Sequence, residues 1–395
     1  MTRALAGLLV VDLTTEFWGG IGAALLGDFG ADVVRIDPLQ VAAPRSDDEA
    51  SWNYEAELAQ RNKTSVAVDL ASERGRALVH ELAAKADVLV TDRSLAELRA
   101  LGLDYDALAA LKPDLIYARG SGFGPEGPDR DLPAIDELAA ARTGMMPILP
   151  QPGQPPVYPG HGLMYTAVML AFGVLAALRH RRLTGEGQKV DTSLLAGNMY
   201  GASLDLQAFL AIGGDRFLEP ISRLDAGNPM SGTVYMSEDG LWVTLTMPDT
   251  DRWWPHFAPL VDLALDDPRF DTHEKRCGEH RLEMMQVLER AFRRKPAAHW
   301  RRVFTERQLS ADVIEDYDFP KADPQVYRNR YILDLEHPSL GPIKTLGFPI
   351  FMSETPARLF RTAPCRGQHT FEVLRDRLGY SEDAITALKD AGTIR

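Results

Sequence analysis

Apolar and polar positions alternate in blocks along the first two hundred residues. The run GLLVVDLT (7–14) is almost wholly apolar, as a strand buried on both faces should be. It is followed by GAALLGDFGAD (22–32), which suits a helix closed at Gly30, and then by VVRID (33–37), a second buried strand. The plan repeats with TSVAVDL (64–70), a helix over SERGRALVHELAAKA (72–86) opened by a Ser72 cap, DVLVTD (87–92) and LIYARGSGFG (115–124). Strands separated by helices of this length predict a mostly parallel, doubly wound α/β sheet of Rossmann-like type.

Residues 146–162 (MPILPQPGQPPVYPGHG) are rich in proline and glycine and predict an irregular segment that crosses the surface or reaches a partner chain. The apolar stretch 163–178 follows and reads as a fully buried helix, ending in the cations RHRR (179–182) that suit a helix C-terminus. It falls short of the roughly 18 residues a membrane span needs. From about residue 228 the pattern changes. TVYMSEDGLWVTLTM (233–247) predicts a hairpin and residues 251–307 predict helix rich in Trp and Arg. The expected division is a large domain over 1–220 and 331–395 and a smaller α+β domain over 226–325, with a last helix at 371–378 returning to the first sheet.

With 395 residues, 45% hydrophobic and 25% charged, the chain is long enough for two cores. A formal net charge of −13 repels polyanions and argues against nucleic-acid or anionic-membrane partners. Any anionic ligand would need a local basic patch. The two cysteines, Cys277 and Cys365, lie in no metal-binding spacing, so neither a metal site nor a disulfide framework is expected. The N-terminal apolar run meets Asp12 at once and shows no cleavage pattern, which predicts a cytoplasmic protein.

After the first strand the sequence is TTEFWGGIGAA, without the spacing of a nicotinamide fingerprint. Gly19, Gly20 and Gly22 either open a helix whose N–H groups meet an anion or serve close packing. Arg61 and Lys63 stand just before a predicted strand, at a sheet edge, where they form either a ligand contact or a solvated basic loop.

These blocks resemble the family III CoA-transferases, the group of formyl-CoA transferase, carnitine CoA-transferase and α-methylacyl-CoA racemase. The resemblance runs through GLLVVDLT with LLGDFGADVVRID, RNKTSVAVDL, LGLDYDALAALKPDLIYARGSGFGPEGP, AALRHRRLTGEGQKVDTSLL, NPMSGTVYMSEDG and GQHTFEVLRDRLGYS, over nearly the full length. It implies an interlocked homodimer with coenzyme A along the Rossmann-like domain and the acyl group near the smaller one. Carried over by position, CoA contacts fall on Arg35, Leu70, Arg74 and the stretch from Asp92 and Arg93 to Arg99. With Arg61 and Lys63, these cations would draw the 3′-phosphate and pyrophosphate. DRSLA (92–96) stands where the family often has an NFRPG-like loop, and Phe17 and Trp18 fill the Gln-like and Ala-like positions of the first loop, which lines the acyl pocket with bulk.

In the transferases of this family an aspartate at the head of the buried helix attacks the thioester. Here that turn is PGHGL and His161 holds the position, with no Asp or Glu between Glu137 and Glu186. The racemase-type histidine is replaced by Ile135. The positive end of a helix dipole disfavours imidazolium, so a histidine there suits a general base or a nucleophile. Glu16 and Asp136 are the carboxylates that can share its work, and Glu137 is a third nearby. The expected activity is CoA transfer between carboxylic acids. Proton transfer alpha to a thioester by His161, as in 2-methylacyl-CoA racemases, and silent CoA binding are the alternatives.

Overall fold

The computed structural model describes residues 3–39, 53–213 and 219–395. The chain divides into two compact units. One takes the described residues up to Met146, together with Tyr158–Gly213 and Tyr327–Arg395; the other takes Pro147–Val157 and the described residues between Gly213 and Tyr327.

The first unit is built on six parallel strands: β1 (Leu9–Asp12), β2 (Asp32–Pro38), β3 (Lys63–Val68), β4 (Val88–Thr91), β5 (Ile116–Ser121) and β6 (Gln188–Ser193). Their spatial order is β3-β2-β1-β4-β5-β6, so the winding reverses between β1 and β4. At such a switch point the loops after neighbouring strands part and leave a crevice at the carboxyl ends. The alternating side chains of one strand feed two cores. Leu9, Val11 and Leu13 join Leu78, Leu82 and Leu374 on one face, whereas Val10 joins Val33, Val88, Leu170 and Val174 on the other. Both faces are therefore covered, which is why the strands read as unbroken apolar runs.

The helices of this unit, in chain order, begin with α1 (Phe17–Asp28), α2 (Tyr54–Ala59), α3 (Glu73–Lys85), α4 (Leu95–Leu101) and α5 (Tyr105–Leu111). After β5 come α6 (Asp136–Ala140), α7 (Gly162–Thr184), α8 (Leu194–Gly201) and α9 (Ser203–Ile212). The Ser72 hydroxyl accepts from Gly75 N and caps α3, as its sequence predicts. Gly30 has φ +96, the left-handed conformation expected just past the end of α1. Helix α7 departs from the expectation of full burial. Its inner face, Thr166, Ala167, Leu170, Ala171, Val174 and Ala177, packs on the sheet and α1, but Tyr165, Val168, Phe172 and Leu175 face outward. At 23 residues it is long and apolar enough to cross a membrane by length and composition alone. The inner face is explained by the sheet it covers.

The second unit holds the antiparallel sheet β7 (Ser231–Met236), β8 (Trp242–Thr246) and β9 (Ala311–Ile314), the first two forming the predicted hairpin. The long helical stretch resolves into Thr250–Phe257, His273–Cys277, Arg281–Phe292 and Ala297–Arg307, separated at Asp267-Pro268, Gly278 and Pro296. At its core Trp300 stacks on Phe304, and Phe292 meets both rings edge-on. At the chain's end, Thr370–Val373 packs on β3 and is followed by a wider turn, Leu374–Leu378, and a further helix, Glu382–Asp390, opened by Ser381. The sequence reading did not anticipate that last helix.

Candidate active site

His161 is the N-cap residue of α7, and its side chain caps nothing. The backbone carbonyl of His161 accepts from Met164 N and Tyr165 N at 3.1 and 3.2 Å, so the first turn of the helix fixes its main chain. The imidazole is exposed, and among the described residues no hydrogen bond or ion pair engages it. It is an available nitrogen at the positive end of a long helix.

Asp136, 25 positions back in sequence, is brought to the same place. It opens α6 and is 5% exposed. One carboxylate oxygen accepts from Tyr158 Oη at 2.5 Å and the other from Asn198 Nδ2 at 2.7 Å. A Cβ at Gly162 would collide with both Asp136 Oδ1 and Asn198 Nδ2, so residue 162 must be glycine for α7 to begin against this carboxylate. Negative charge thus stands one residue from His161, supplied by another helix. Burial, reinforced by Asp136, holds the Tyr158 phenol well above its usual range and keeps it a donor. Neither Tyr158 nor Asn198 was singled out in sequence. A tyrosine in a proline-rich loop and an asparagine in a helix carry no periodic signal.

The first loop at the switch point is organised by carboxylates. Asp12 Oδ1 accepts from Thr14 N and Thr14 Oγ1 at 2.9 and 2.6 Å. Asp92, just past β4, accepts from Thr15 N and Glu16 N at 2.8 Å each and from Thr15 Oγ1 at 3.0 Å. Burial outweighs these donors and raises the Asp92 pKa to about 6. The N–H groups of Thr14, Thr15 and Glu16, just ahead of α1, are therefore taken by the protein's own carboxylates. The glycines follow suit: a Cβ would meet Asp92 at Gly19, Gln60 at Gly20 and Leu170 at Gly22. They serve close packing. Glu16 and Glu137 are exposed, and Phe17 is half-buried.

Several of the expected ligand contacts are engaged within the chain itself. Trp18 does not line a pocket on its own chain; it is 1% exposed and its ring lies against Gly120. Lys63 is fully buried, and its ammonium donates to Asp12 Oδ2 at 2.6 Å, Gly20 O at 2.8 Å and Gln60 Oε1 at 2.8 Å. All three donors are used, and burial pulls the ammonium below its usual range even against the Asp12 charge. Arg61 pairs with Asp28 through two bonds and also reaches Leu346 O. Leu70 is a core side chain. Arg93 is buried, bonded to Leu13 O and paired with Glu97, with only its second terminal nitrogen free of partners among the described residues. These side chains are engaged within the chain's own core and ion pairs. The cations left at the surface are Arg35, beside Asp37 at 2.7 Å, Arg74, beside Glu81 at 3.3 Å, and the exposed Arg99 on α4.

A family model described as CoA-transferase family III matches residues 5–370. The chain belongs to that family. Among its relatives, cinnamoyl-CoA:phenyllactate CoA-transferase of Clostridium sporogenes is 29% identical, with 98% of this chain and 96% of the relative aligned. Human succinyl-CoA:glutarate CoA-transferase is 27% identical over 99% of this chain and 90% of its own length. The fold is shared with a CaiB/BaiF family protein from Brucella suis, at TM-score 0.82 and 24% identity over 95% of this chain and 100% of that one. The α/β reading and the resemblance drawn from the sequence blocks both hold. This family III member is a CoA-transferase, and coenzyme A is the group it carries.

Proposed function

We propose that this CoA-transferase moves CoA from an acyl-CoA to a free carboxylic acid at the head of α7, with His161 as the group that receives the acyl chain. The observation that carries the reading is an unengaged imidazole at the family's nucleophile position, one residue from a buried carboxylate. An imidazole nitrogen attacks the thioester carbonyl, the C–S bond breaks and CoA leaves as thiolate, giving an acyl-imidazole. The acceptor carboxylate then attacks the acyl carbon and frees the imidazole, and the resulting mixed anhydride is opened by the CoA thiolate at the acceptor's carbonyl. Atoms balance without a side-chain anhydride. Asp136 offsets positive charge that develops on the acylated ring, and Glu16 is the exposed carboxylate on the loop ahead of α1. Arg35, Arg74 and Arg99 are the cations offered to the CoA phosphates. The half-buried aromatic ring of Phe17 in the first loop supports a bulky, apolar acyl group, and the compartment proposed is the cytoplasm.

The test is exchange of labelled CoA between a panel of acyl-CoAs and free acids. We expect exchange with at least one pair, and its absence with every pair sinks the reading. Deuterium washed in alpha to the thioester would signal proton transfer instead, and calorimetric CoA binding without turnover a silent subunit.

The homodimer belongs to the same proposal. Tyr165, Val168, Phe172 and Leu175 recur at spacings of three and four and are 45%, 54%, 71% and 42% exposed. Such a stripe on a helix is covered in a stable soluble protein, and a second copy of this chain suits a family that the resemblance describes as interlocked. Phe172→Glu should place a charge in that contact and shift the species seen by light scattering from dimer to monomer. A wild-type chain that is already monomeric at micromolar concentration would remove the homodimer.

A further inference from the structure

We infer that Tyr158 is a positioning residue that sets where His161 stands, an assignment that rests on the proposed role of His161. The reacting imidazole has no side chain to orient it among the described residues, so its placement depends on the main chain on either side. On the C-terminal side that is the first turn of α7. On the N-terminal side it is the short link Pro159-Gly160, which ends at Tyr158. Proline fixes one backbone angle of the link, and Gly160, at φ +69, takes the left-handed conformation that turns the chain back into the helix. The link is short and restricted, so it transmits whatever holds Tyr158.

What holds Tyr158 is a single strong bond. Its hydroxyl donates to Asp136 Oδ2 at 2.5 Å, a short bond to a carboxylate. Asp136 is itself fixed by Asn198 Nδ2 at 2.7 Å, and the same amide nitrogen donates to Leu194 O at 2.9 Å within α8. The chain Leu194–Asn198–Asp136–Tyr158 therefore ties α8 and α6 to the loop carrying His161. Among the described residues no cation completes this network. The donors to the buried carboxylate are a phenol and an amide, and loss of either leaves the charge poorly solvated. The Tyr158 ring is 38% exposed, so the hydroxyl rather than packing gives it its place.

The test compares Tyr158→Phe with wild type by two measurements. Hydrogen–deuterium exchange of the peptide spanning residues 158–165 should quicken in the variant, and this readout needs no turnover. In the CoA-exchange assay kcat should fall about tenfold or more, the effect of losing a hydrogen bond to a charged group near a reacting centre, with KM for acyl-CoA unchanged. The double variant Asp136→Asn with Asn198→Asp exchanges carboxylate and amide while keeping an acceptor oxygen at position 136 for the Tyr158 hydroxyl, and it should recover kcat relative to Asp136→Asn alone. Unaltered amide exchange in Tyr158→Phe overturns the inference, as does quickened amide exchange with kcat intact. If the wild type moves no CoA at all but the amides respond, the function proposed above fails and the tie between Tyr158 and the His161 loop stands.

Discussion

Replacing His161 with alanine is expected to lower CoA exchange by about 10²–10⁴-fold, the range associated with loss of a positioned acid–base or nucleophilic group. The affinity for CoA itself should change little, because the half-buried Arg35 and the exposed Arg74 and Arg99 lie on β2, α3 and α4, outside the helix that His161 heads. The informative companion is His161→Asp. A carboxylate there meets the positive end of α7 and restores the nucleophile that the family resemblance assigns to this position. Asp136 stands one residue away, however, and two carboxylates sharing the head of one helix repel each other. We therefore expect the aspartate variant to recover exchange only in part, and to recover more when combined with Asp136→Asn. Exchange at the wild-type rate in His161→Ala would move the chemistry to another residue.

How much of this was legible in advance depends on the range over which each feature is decided. The β-α-β rhythm was readable because strands covered on both faces are apolar throughout, and the cap at Ser72 because capping is settled within three residues. Resemblance carried the position of His161. Its companions were another matter: Asp136 was named, but its partners Tyr158 and Asn198 lie 22 and 62 residues away in sequence, and only the fold brings them together. The same limit misled the reading of the basic residues. Arg61 and Lys63 look like free cations before a strand, yet the carboxylates that neutralise them lie 33 and 51 residues earlier, at the ends of α1 and β1. Charge is visible in a sequence and its pairing is not. The outward stripe on α7 was missed for a related reason, since an apolar residue reads alike whether its own chain or a second copy covers it.

The pairing of Lys63 yields the second large effect. Lys63→Met removes the ammonium and leaves Asp12 fully buried, with Thr14 donating to one oxygen and nothing else among the described residues bonding the oxygen that Lys63 had satisfied. Breaking a buried ion pair from one side typically costs about 3–5 kcal/mol, and the loss should appear as a lower denaturation midpoint together with faster amide exchange in β3. Adding Asp12→Asn removes the stranded charge and should return a large part of the stability, even though both members of the pair are then gone. A lysine that touched CoA would behave in the opposite way. Its replacement would spare the denaturation midpoint and raise KM for acyl-CoA, because a phosphate contact would be lost while no internal charge was left unpaired. Lys63 donates all three of its hydrogen bonds inward, to Asp12, Gly20 and Gln60. The expected signature is therefore a less stable enzyme whose folded fraction binds acyl-CoA as before, and an unchanged midpoint with weakened binding would return Lys63 to the ligand site.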